Sequence, residues 1–425
     1  MENRVVITGL GVVAPNGTRI DAFTNAIRNG ISGIQHDPEL ERLKFSCQIS
    51  GTPKISTELA LNYFSELELR NFSATGILYG VIAGMDAWKD AGLAIENNND
   101  PDWDSGTIFG AGTSGIDKFR ESVYKVDDFQ VRKLGSTAVA QTMNSGISAF
   151  LGGKLGLGNQ VTTNSSACTT GTESIILAYE RIKAGKAKRM LAGSTSDSGP
   201  YIWGGFDAMK VCTFKHNTTP EQGSRPMSAS ASGFVPGSGA GAMVLENLET
   251  ALARGATIYA EVLGGNINSG GQRGSGSMTA PNSVAVIKCI KDAITDSGVA
   301  ADAIDTINGH LTATSKDGLE IANWSEALGK TGINFPFINS LKSLVGHCLS
   351  ASGSIESIAS ILQLHHGFIF ANTNCEDLHP DITAIIDASK VPQVCINKDI
   401  NVIAKASFGF GDVNGCVIFK KYKSI

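Results

Sequence analysis

Short apolar runs alternate along this chain with longer stretches in which apolar residues recur every three or four positions. The first run, Val5-Val6-Ile7-Thr8-Gly9-Leu10-Gly11-Val12-Val13, reads as a buried strand. It is too short and too glycine-broken for a secretory signal, and no small-residue cleavage site follows it. Asp21 to Asn29 reads as a short helix. Thr75 to Asp90 reads as a long one, with Gly80, Ala83, Gly84 and Ala87 suited to close packing. Thr107 to Ile116 reads as a strand running into a small-residue loop. Gln160-Val161-Thr162-Thr163 reads as a strand end, and Glu173 to Lys183 as a helix with Ile175, Ile176, Leu177 and Ile182 at helical spacing. Arg189 to Gly193 is a further strand. Tyr201 to Pro226 is aromatic-rich and reads as an irregular insertion above the core. Gly233 to Glu246 enters a strand through a glycine-rich bend, and Leu248 to Arg254 is a short helix closed by Gly255.

From Ile258 the alternation begins again. Strands are predicted over 258–263, 304–308, 335–339, 401–408 and 416–420, and helices over 284–297, 319–328 and 350–366. Such strand–helix alternation predicts parallel pairing under a cover of helices. Each half has a strand, a small-residue turn and a long helix, at Cys168 in the first and at Lys342 to Ser350 in the second. The repetition predicts a duplicated α/β architecture, residues 1–250 and 251–425, with a seam where the two turns meet.

At 425 residues the chain is long enough for two core-forming halves. A formal charge of −5, without a basic stripe or tail, points away from nucleic acid. No apolar stretch approaches the length of a membrane span. The 8 cysteines lack the paired short spacings of a zinc site or a disulfide framework, so a reducing cytoplasmic setting is expected.

The candidate chemistry begins at Asn164-Ser165-Ser166-Ala167-Cys168-Thr169-Thr170-Gly171. A cysteine where a strand turns into a helix meets unpaired N–H groups and the positive end of the helix dipole, and both favour thiolate. The same place also suits a buried structural cysteine. Three more stretches lie at predicted strand ends, where such sheets put their chemistry. They are Asn308-Gly309-His310-Leu311-Thr312-Ala313-Thr314, the run Asn339 to His347 with Glu356 on the next helix, and Ser407-Phe408-Gly409-Phe410-Gly411-Asp412.

In these motifs, and over its whole length, the sequence resembles an elongating β-ketoacyl-acyl-carrier-protein synthase of the thiolase superfamily. Ser-Ala-Cys-Thr-Thr-Gly matches the family's nucleophile motif, Gly-His-Leu-Thr-Ala-Thr its first histidine motif, Leu-Lys-Ser-Leu-Val-Gly-His its lysine and second histidine, and Gly-Phe-Gly its glycine-rich loop. The resemblance implies a thiolase-like fold in α-β-α-β-α layers with mixed, mainly parallel sheets, and chain extension by decarboxylative Claisen condensation. In that scheme Cys168 takes an acyl chain from the carrier's phosphopantetheine thioester, and the N–H groups of Cys168 and Phe410 hold the oxyanion. His310 and His347, neutral and donating from Nε2, stabilise the enolate left when a malonyl-loaded carrier loses carbon dioxide. Lys342 and Glu356 form a charge pair that fixes His310.

The same resemblance makes Gly409, Phe410, Gly411 and Asp412 the oxyanion and gating loop. It lines the acyl and pantetheine channel with Ile116, Phe206, Thr279, Thr312, Thr314 and Phe408. Arg70, Arg132, Lys133 and Lys210 would meet an acidic carrier protein. No metal or redox cofactor is implied, because substrate arrives on the carrier's own arm. Family members usually dimerise across the strand before the nucleophile. A homodimer is therefore implied, with a heterodimer containing a cysteine-less partner as the alternative.

Some positions depart from the family's pattern. Leu311 stands where glycine or alanine is usual, Ser315 where proline is common, Asp412 where the loop has a second glycine and Val413 where threonine is usual. Arg225 to Ser230 lacks the acidic residue of the usual Arg-Pro-Phe-Asp. These departures predict a specialised synthase, for a polyene or another secondary product, rather than the general fatty-acid elongator. A non-catalytic chain-length subunit would lack the cysteine that Cys168 supplies. A thiolase acting on coenzyme A esters would need a second catalytic cysteine, whereas Cys416, in an apolar strand, reads as a buried thiol.

Overall fold

A computed structural model describes residues 3–95 and 99–423. Ten strands follow one another across a single mixed sheet: β1 (Val5–Ala14), β2 (Ser105–Ala111), β3 (Val161–Thr162), β4 (Arg189–Ser196), β5 (Gly239–Asn247), β6 (Ala260–Ser269), β7 (Thr306–Asn308), β8 (Phe337–Asn339), β9 (Val402–Gly409) and β10 (Val413–Lys420). The two-residue strand Gly17–Thr18 pairs beside β1. The helices used below are α1 (Ile20–Arg28), α2 (Thr75–Asp90), α3 (Ile116–Asp127), α4 (Gly146–Leu155), α5 (Thr170–Lys183), α6 (Pro200–Ala208), α7 (Ser283–Ser297), α8 (Asp317–Leu328) and α9 (Ser352–His366).

Across the sheet the strands run β8-β7-β9-β10-β6-β1-β5-β4-β2-β3. The first five strands in sequence therefore lie in the order first, fifth, fourth, second, third, and the last five repeat that order. The two sets join through antiparallel β1 and β6, with Val5 opposite Val262 and Ile7 opposite Ala260. Parallel pairs occupy both flanks, β2 with β3 and β4, and β7 with β8 and β9. Antiparallel pairs fill the middle. The repeated order is the duplication that the sequence pattern predicts.

Both faces of the sheet are covered, which is why β1 is buried along its whole length. Side chains of β9 and β10 alternate between two cores: Ile403, Val417 and Phe419 pack with Ile175, Ile176, Ile355 and Ile358 of α5 and α9. Ala404, Cys416 and Ile418 pack with Val286, Ile290, Ile321 and Trp324 of α7 and α8. A third core sets Phe109, Leu191 and Val244 against Ile77 and Val81 of α2 and Ile147 and Leu151 of α4. Helices α5 and α9 thus form the middle layer, and α2 with α4 and α7 with α8 the outer ones.

The predicted seam is a backbone-to-backbone contact. A Cβ at Gly171 would lie 2.3 Å from Ser354 N, and one at Gly353 2.5 Å from Thr172 N. Only glycine allows α5 and α9 to cross this closely. Among the described residues no helix is long and apolar enough to cross a membrane.

One expectation is corrected. The stretch from Tyr201 is not irregular throughout, because it opens with α6, which has Pro200 in its first turn. Trp203 is buried there against Leu40 and Leu349. Aromatic residues on several faces of this short helix hide its period. Helices α3 and α4, not foreseen from the sequence, have the same difficulty: α3 leaves Phe119, Val123, Tyr124 and Val126 exposed, and α4 presents apolar residues around much of its circumference.

Candidate active site

The chain leaves β3 and reaches Cys168 in a single tight turn, Ala167–Thr169, just before α5. Ala167 adopts a left-handed φ of 50°. Side chains hold this strained turn in place. Thr170 Oγ1 donates to the Ala167 carbonyl at 2.7 Å and accepts from Ser166 N–H at 2.9 Å. Thr169 Oγ1 donates to the Val413 carbonyl at 2.9 Å, and the Thr172 and Ser407 hydroxyls lie 2.8 Å apart. The Cys168 turn is therefore stitched to the hairpin of β9 and β10, which come from the other half of the chain.

That hairpin carries the glycine-rich loop. A Cβ on Gly409 would come within 3.0 Å of the Ser166 carbonyl and 3.2 Å of Cys168 N, so any other residue would push the loop off the turn by a few tenths of an ångström. The N–H groups of Phe410 and of Cys168 itself are directed at the sulfur. Phe408 sets its ring edge-on to His310, with centroids 6.2 Å apart, and the Phe410 ring lies 6.0 Å from Phe206.

His347 comes from the loop after the turn Lys342–Val345, and its Nε2 is 3.1 Å from Cys168 Sγ. The Leu349 N–H donates to His347 Nδ1 at 3.2 Å, and Ser352 Oγ lies 2.9 Å from the same nitrogen. A backbone N–H can only donate, so Nδ1 is the acceptor and the neutral ring carries its proton on Nε2, facing the sulfur. His310 stands beside His347, with ring centroids 5.3 Å apart at 81°. The Sγ of Cys168 and the ligand nitrogens of both rings lie within 4.8 Å of one another. A soft cation bound there would have to displace the Nε2 proton that the Leu349 contact maintains.

The loop bearing His310 is held by two acids on α8. Glu320 accepts from the N–H groups of His310 and Leu311, each at 2.7 Å. Asp317 accepts from Thr312, Ala313 and Met227 at 2.9, 3.1 and 2.8 Å. Burial raises the Glu320 carboxyl to about 7 against the pull of those bonds.

Burial also decides the state of the other groups. It pushes the Cys168 thiol up to about 11, opposed by the charge of Lys342 and the N–H of Phe410. The dipole expectation of a thiolate is thus reversed in the free site, because loss of water outweighs the helix end. Burial, with Lys342 next, holds both imidazoles well below the ordinary histidine range, so both are neutral.

Lys342 and Glu356 are both buried and bonded to each other. The pair does not fix His310 by contact. Among the described residues neither side chain bonds to it, and Lys342 acts on it through charge alone. Glu356 has a second cation, Lys405 of β9, at 2.9 Å.

A cavity of about 380 Å³ leads from Cys168, His310 and His347 outward to exposed Met209, Thr279 and Lys316. Phe206, Thr312, Thr314, Phe408, Gly409 and Phe410 border it as well. Ile116 does not; it begins α3, where its N–H donates to Asp197 at 3.3 Å. Asp412 is buried beside Gly411 and accepts from Asn282 and Gln272 N–H at 2.8 and 3.0 Å. Arg70, Arg132, Lys133 and Lys210 are all exposed, and Lys210 adjoins Met209 and Val211 of the lining. Cys416 is a fully buried thiol within β10.

Sequence reading missed Asp317, Glu320, Lys316 and Lys405. Two acids three apart at a helix start, and a lysine inside an apolar strand, were the available signals.

Comparison with known proteins accords with this geometry. The family described as Beta-ketoacyl synthase, N-terminal domain, matches residues 2–251, and its C-terminal domain matches 259–376. The chain is 33% identical over 426 residues to 3-oxoacyl-[acyl-carrier-protein] synthase 1 of Escherichia coli, covering 99% of each. It superimposes with a TM-score of 0.87, at 25% identity over 99% of this chain and 100% of the other, on a chain of a type II PKS acyl-carrier protein in complex with its ketosynthase bound to the hexaketide. A chain of the ishigamide ketosynthase/chain length factor gives 0.88, at 26% identity and 100% of both chains.

Proposed function

We propose, from the premise that this chain belongs to the beta-ketoacyl synthase family and so extends acyl chains held on a carrier protein, that Cys168 is its nucleophile and His310 and His347 its enolate-stabilising pair. The observation that carries this reading is the 3.1 Å approach of His347 Nε2 to Cys168 Sγ at the closed end of the cavity, with neutral His310 alongside. Cys168 attacks the thioester carbonyl of the acyl carrier, the carbon–sulfur bond to pantetheine breaks, and the thiol proton leaves with the carrier's sulfur. The N–H groups of Cys168 and Phe410 hold the oxyanion.

A malonyl-loaded carrier then loses its carboxylate as carbon dioxide. The two Nε2–H donors hold the resulting enolate oxygen, and neutral rings do so without giving a proton to the carbanion. The enolate carbon attacks the acyl-cysteine, and the released sulfur regains a proton. The division at 250/251 assigns the nucleophile to one half and the histidines and Lys342 to the other.

The carrier's arm enters past Thr279, Thr312, Thr314 and Phe206, and Arg70, Arg132, Lys133 and Lys210 meet its acidic face. The working unit is a homodimer; likeness to the ishigamide ketosynthase/chain length factor supports a paired, cysteine-less partner as the second arrangement. Ser315 at the cavity lining, with Leu311 and Asp412 buried in the loops behind it, suits a specialised chain, such as a polyene, better than the general saturated series.

The test is intact and native mass after incubation with a panel of saturated and polyunsaturated acyl carriers, beside Cys168→Ala. Acylation that vanishes in the variant, strongest for the unsaturated chains, and a native mass of twice the chain are expected. No adduct with any carrier would overturn the catalytic assignment, equal adducts across the panel the specialisation, and a monomer the dimer.

A further inference from the structure

Strand β9 buries a lysine among apolar neighbours: Val402, Ile403, Ala404 and Ala406 surround Lys405 in sequence, and all are buried. In register Lys405 pairs with Asn308, two residues before His310, and with Val417 of β10. Its ammonium bonds the Ala406 carbonyl, lies 3.0 Å from Ser407 Oγ and contacts Glu356 Oε2 at 2.9 Å. The other oxygen of Glu356 already binds Lys342. Two buried cations therefore share one buried carboxylate.

Packing does not require this, since an unbranched apolar side chain of similar length would fill the same space without a desolvation cost. The Glu356 contact runs off the hydrogen-bonding direction, so Lys405 acts on it by charge rather than by a directed bond. A lone Lys342–Glu356 pair sums to zero; with Lys405 the group carries one net positive charge.

Around this group, His310, His347 and Cys168 face Lys342 from its turn and Glu356 from α9. Glu320 faces Lys342 and Lys405 from α8, with Asp317 behind it, and the thiol of Cys416 lies beside Lys405 on β10. The charge of Lys405 works with that of Lys342 against protonation of both imidazoles. Burial pulls Lys405 itself below the ordinary lysine range, and Glu356 opposes that pull.

Resting on the condensing-enzyme reading, we propose that Lys405 is a positioning residue of this site. It balances the second oxygen of Glu356, leaves the charge of Lys342 free to act on His310 and His347, and keeps both rings neutral while negative charge grows on the enolate.

The full chain carrying Lys405→Met, Lys405→Gln or Lys405→Arg tests this through two pH profiles. One is malonyl-carrier decarboxylation, and the other is alkylation of Cys168 by iodoacetamide read as intact mass. In the Met and Gln variants the acid limb of decarboxylation should rise by about one pH unit. Alkylation at fixed pH should slow about tenfold, the scale of one unit charge at about 10 Å in protein. The Arg variant should keep both wild-type profiles.

Neutral variants that fold and keep both profiles would overturn the proposal. So would neutral variants that both fail to fold, which would make Lys405 structural. Alkylation needs no carrier, so a shift there supports Lys405 even if the wild type accepts no acyl group. Normal wild-type acylation with unshifted variants would remove Lys405 alone.

Discussion

At the scale of single residues, the decisive quantity is the state of the Cys168 sulfur. Burial raises the thiol to about 11, so about one molecule in 10⁴ carries thiolate at pH 7. A higher pKa means the protonated form persists as pH rises. Iodoacetamide alkylation of the free enzyme should therefore climb by about tenfold per pH unit from pH 7 to pH 10. His347→Ala should lower it at every pH by removing the Nε2–H donor 3.1 Å from the sulfur. Intact mass against time gives the rates, and a plateau reached below pH 8 would mean that the dipole and N–H groups outweigh burial after all. That Cys168, His310 and His347 would share one place was legible from motifs at predicted strand ends, and the structure brings their ligand atoms within 4.8 Å of one another. The raised thiol was not, because the sequence locates a helix end without telling how little water reaches it. Lys405 escaped for the same reason, since a lysine in a strand reads as a solvated edge until its burial is known.

At the scale of elements, the β9–β10 hairpin lies against the turn that carries Cys168. Asp412, with a left-handed φ of 63°, ties the loop over residues 270–282 to the Gly409–Gly411 turn. Its carboxylate accepts from Gln272 and Asn282, its carbonyl accepts from Gly270, and the Gly411 N–H donates to Met278 at 2.8 Å. Replacing Asp412 by glycine removes two bonds to a charged acceptor, worth about 1.5–3 kcal/mol each at most. Glycine recovers roughly 1 kcal/mol by suiting the left-handed backbone. The net expectation for Asp412→Gly is a loss of roughly 2–5 kcal/mol, seen as a clear fall in melting temperature, with a local rise in hydrogen exchange at Gln272 and Asn282. Unchanged exchange there would show that the loop is held by other means. The sequence singled out Asp412 as an intruder in a glycine loop, but its partners lie 130 and 140 residues away and no local pattern names them. Elements with clean periodicity, such as α2, were read to the residue, whereas α6, with aromatics spread around it, was lost.

At the scale of the whole molecule, two copies of one strand order share a sheet, and their equivalent helices meet just after the Cys168 turn. The sequence made this duplication legible as two strand–turn–helix units, yet not the sheet order, because pairing between β1 and β6 joins residues some 250 positions apart. The seam is testable with two glycines of opposite setting. Gly353 faces Thr172 across α5 and α9, and an added Cβ would lie 2.5 Å from its N and 2.8 Å from its Oγ1. Backbone on both sides leaves little room to relax, so Gly353→Ala should cost about 1–3 kcal/mol. It should also displace the first turn of α5 and with it Cys168, cutting acylation beyond what the loss of folded protein explains. Gly153, exposed in α4, has no atom within 4 Å of the added Cβ, and Gly153→Ala should stabilise the chain by about 1 kcal/mol through helix propensity alone. Thermal melts and acylation kinetics on both variants separate the two effects. If Gly353→Ala melted and acylated like the wild type while Gly153→Ala behaved as expected, the two halves would be held by the sheet alone, and the position of Cys168 would not depend on the crossing of the helices beneath it.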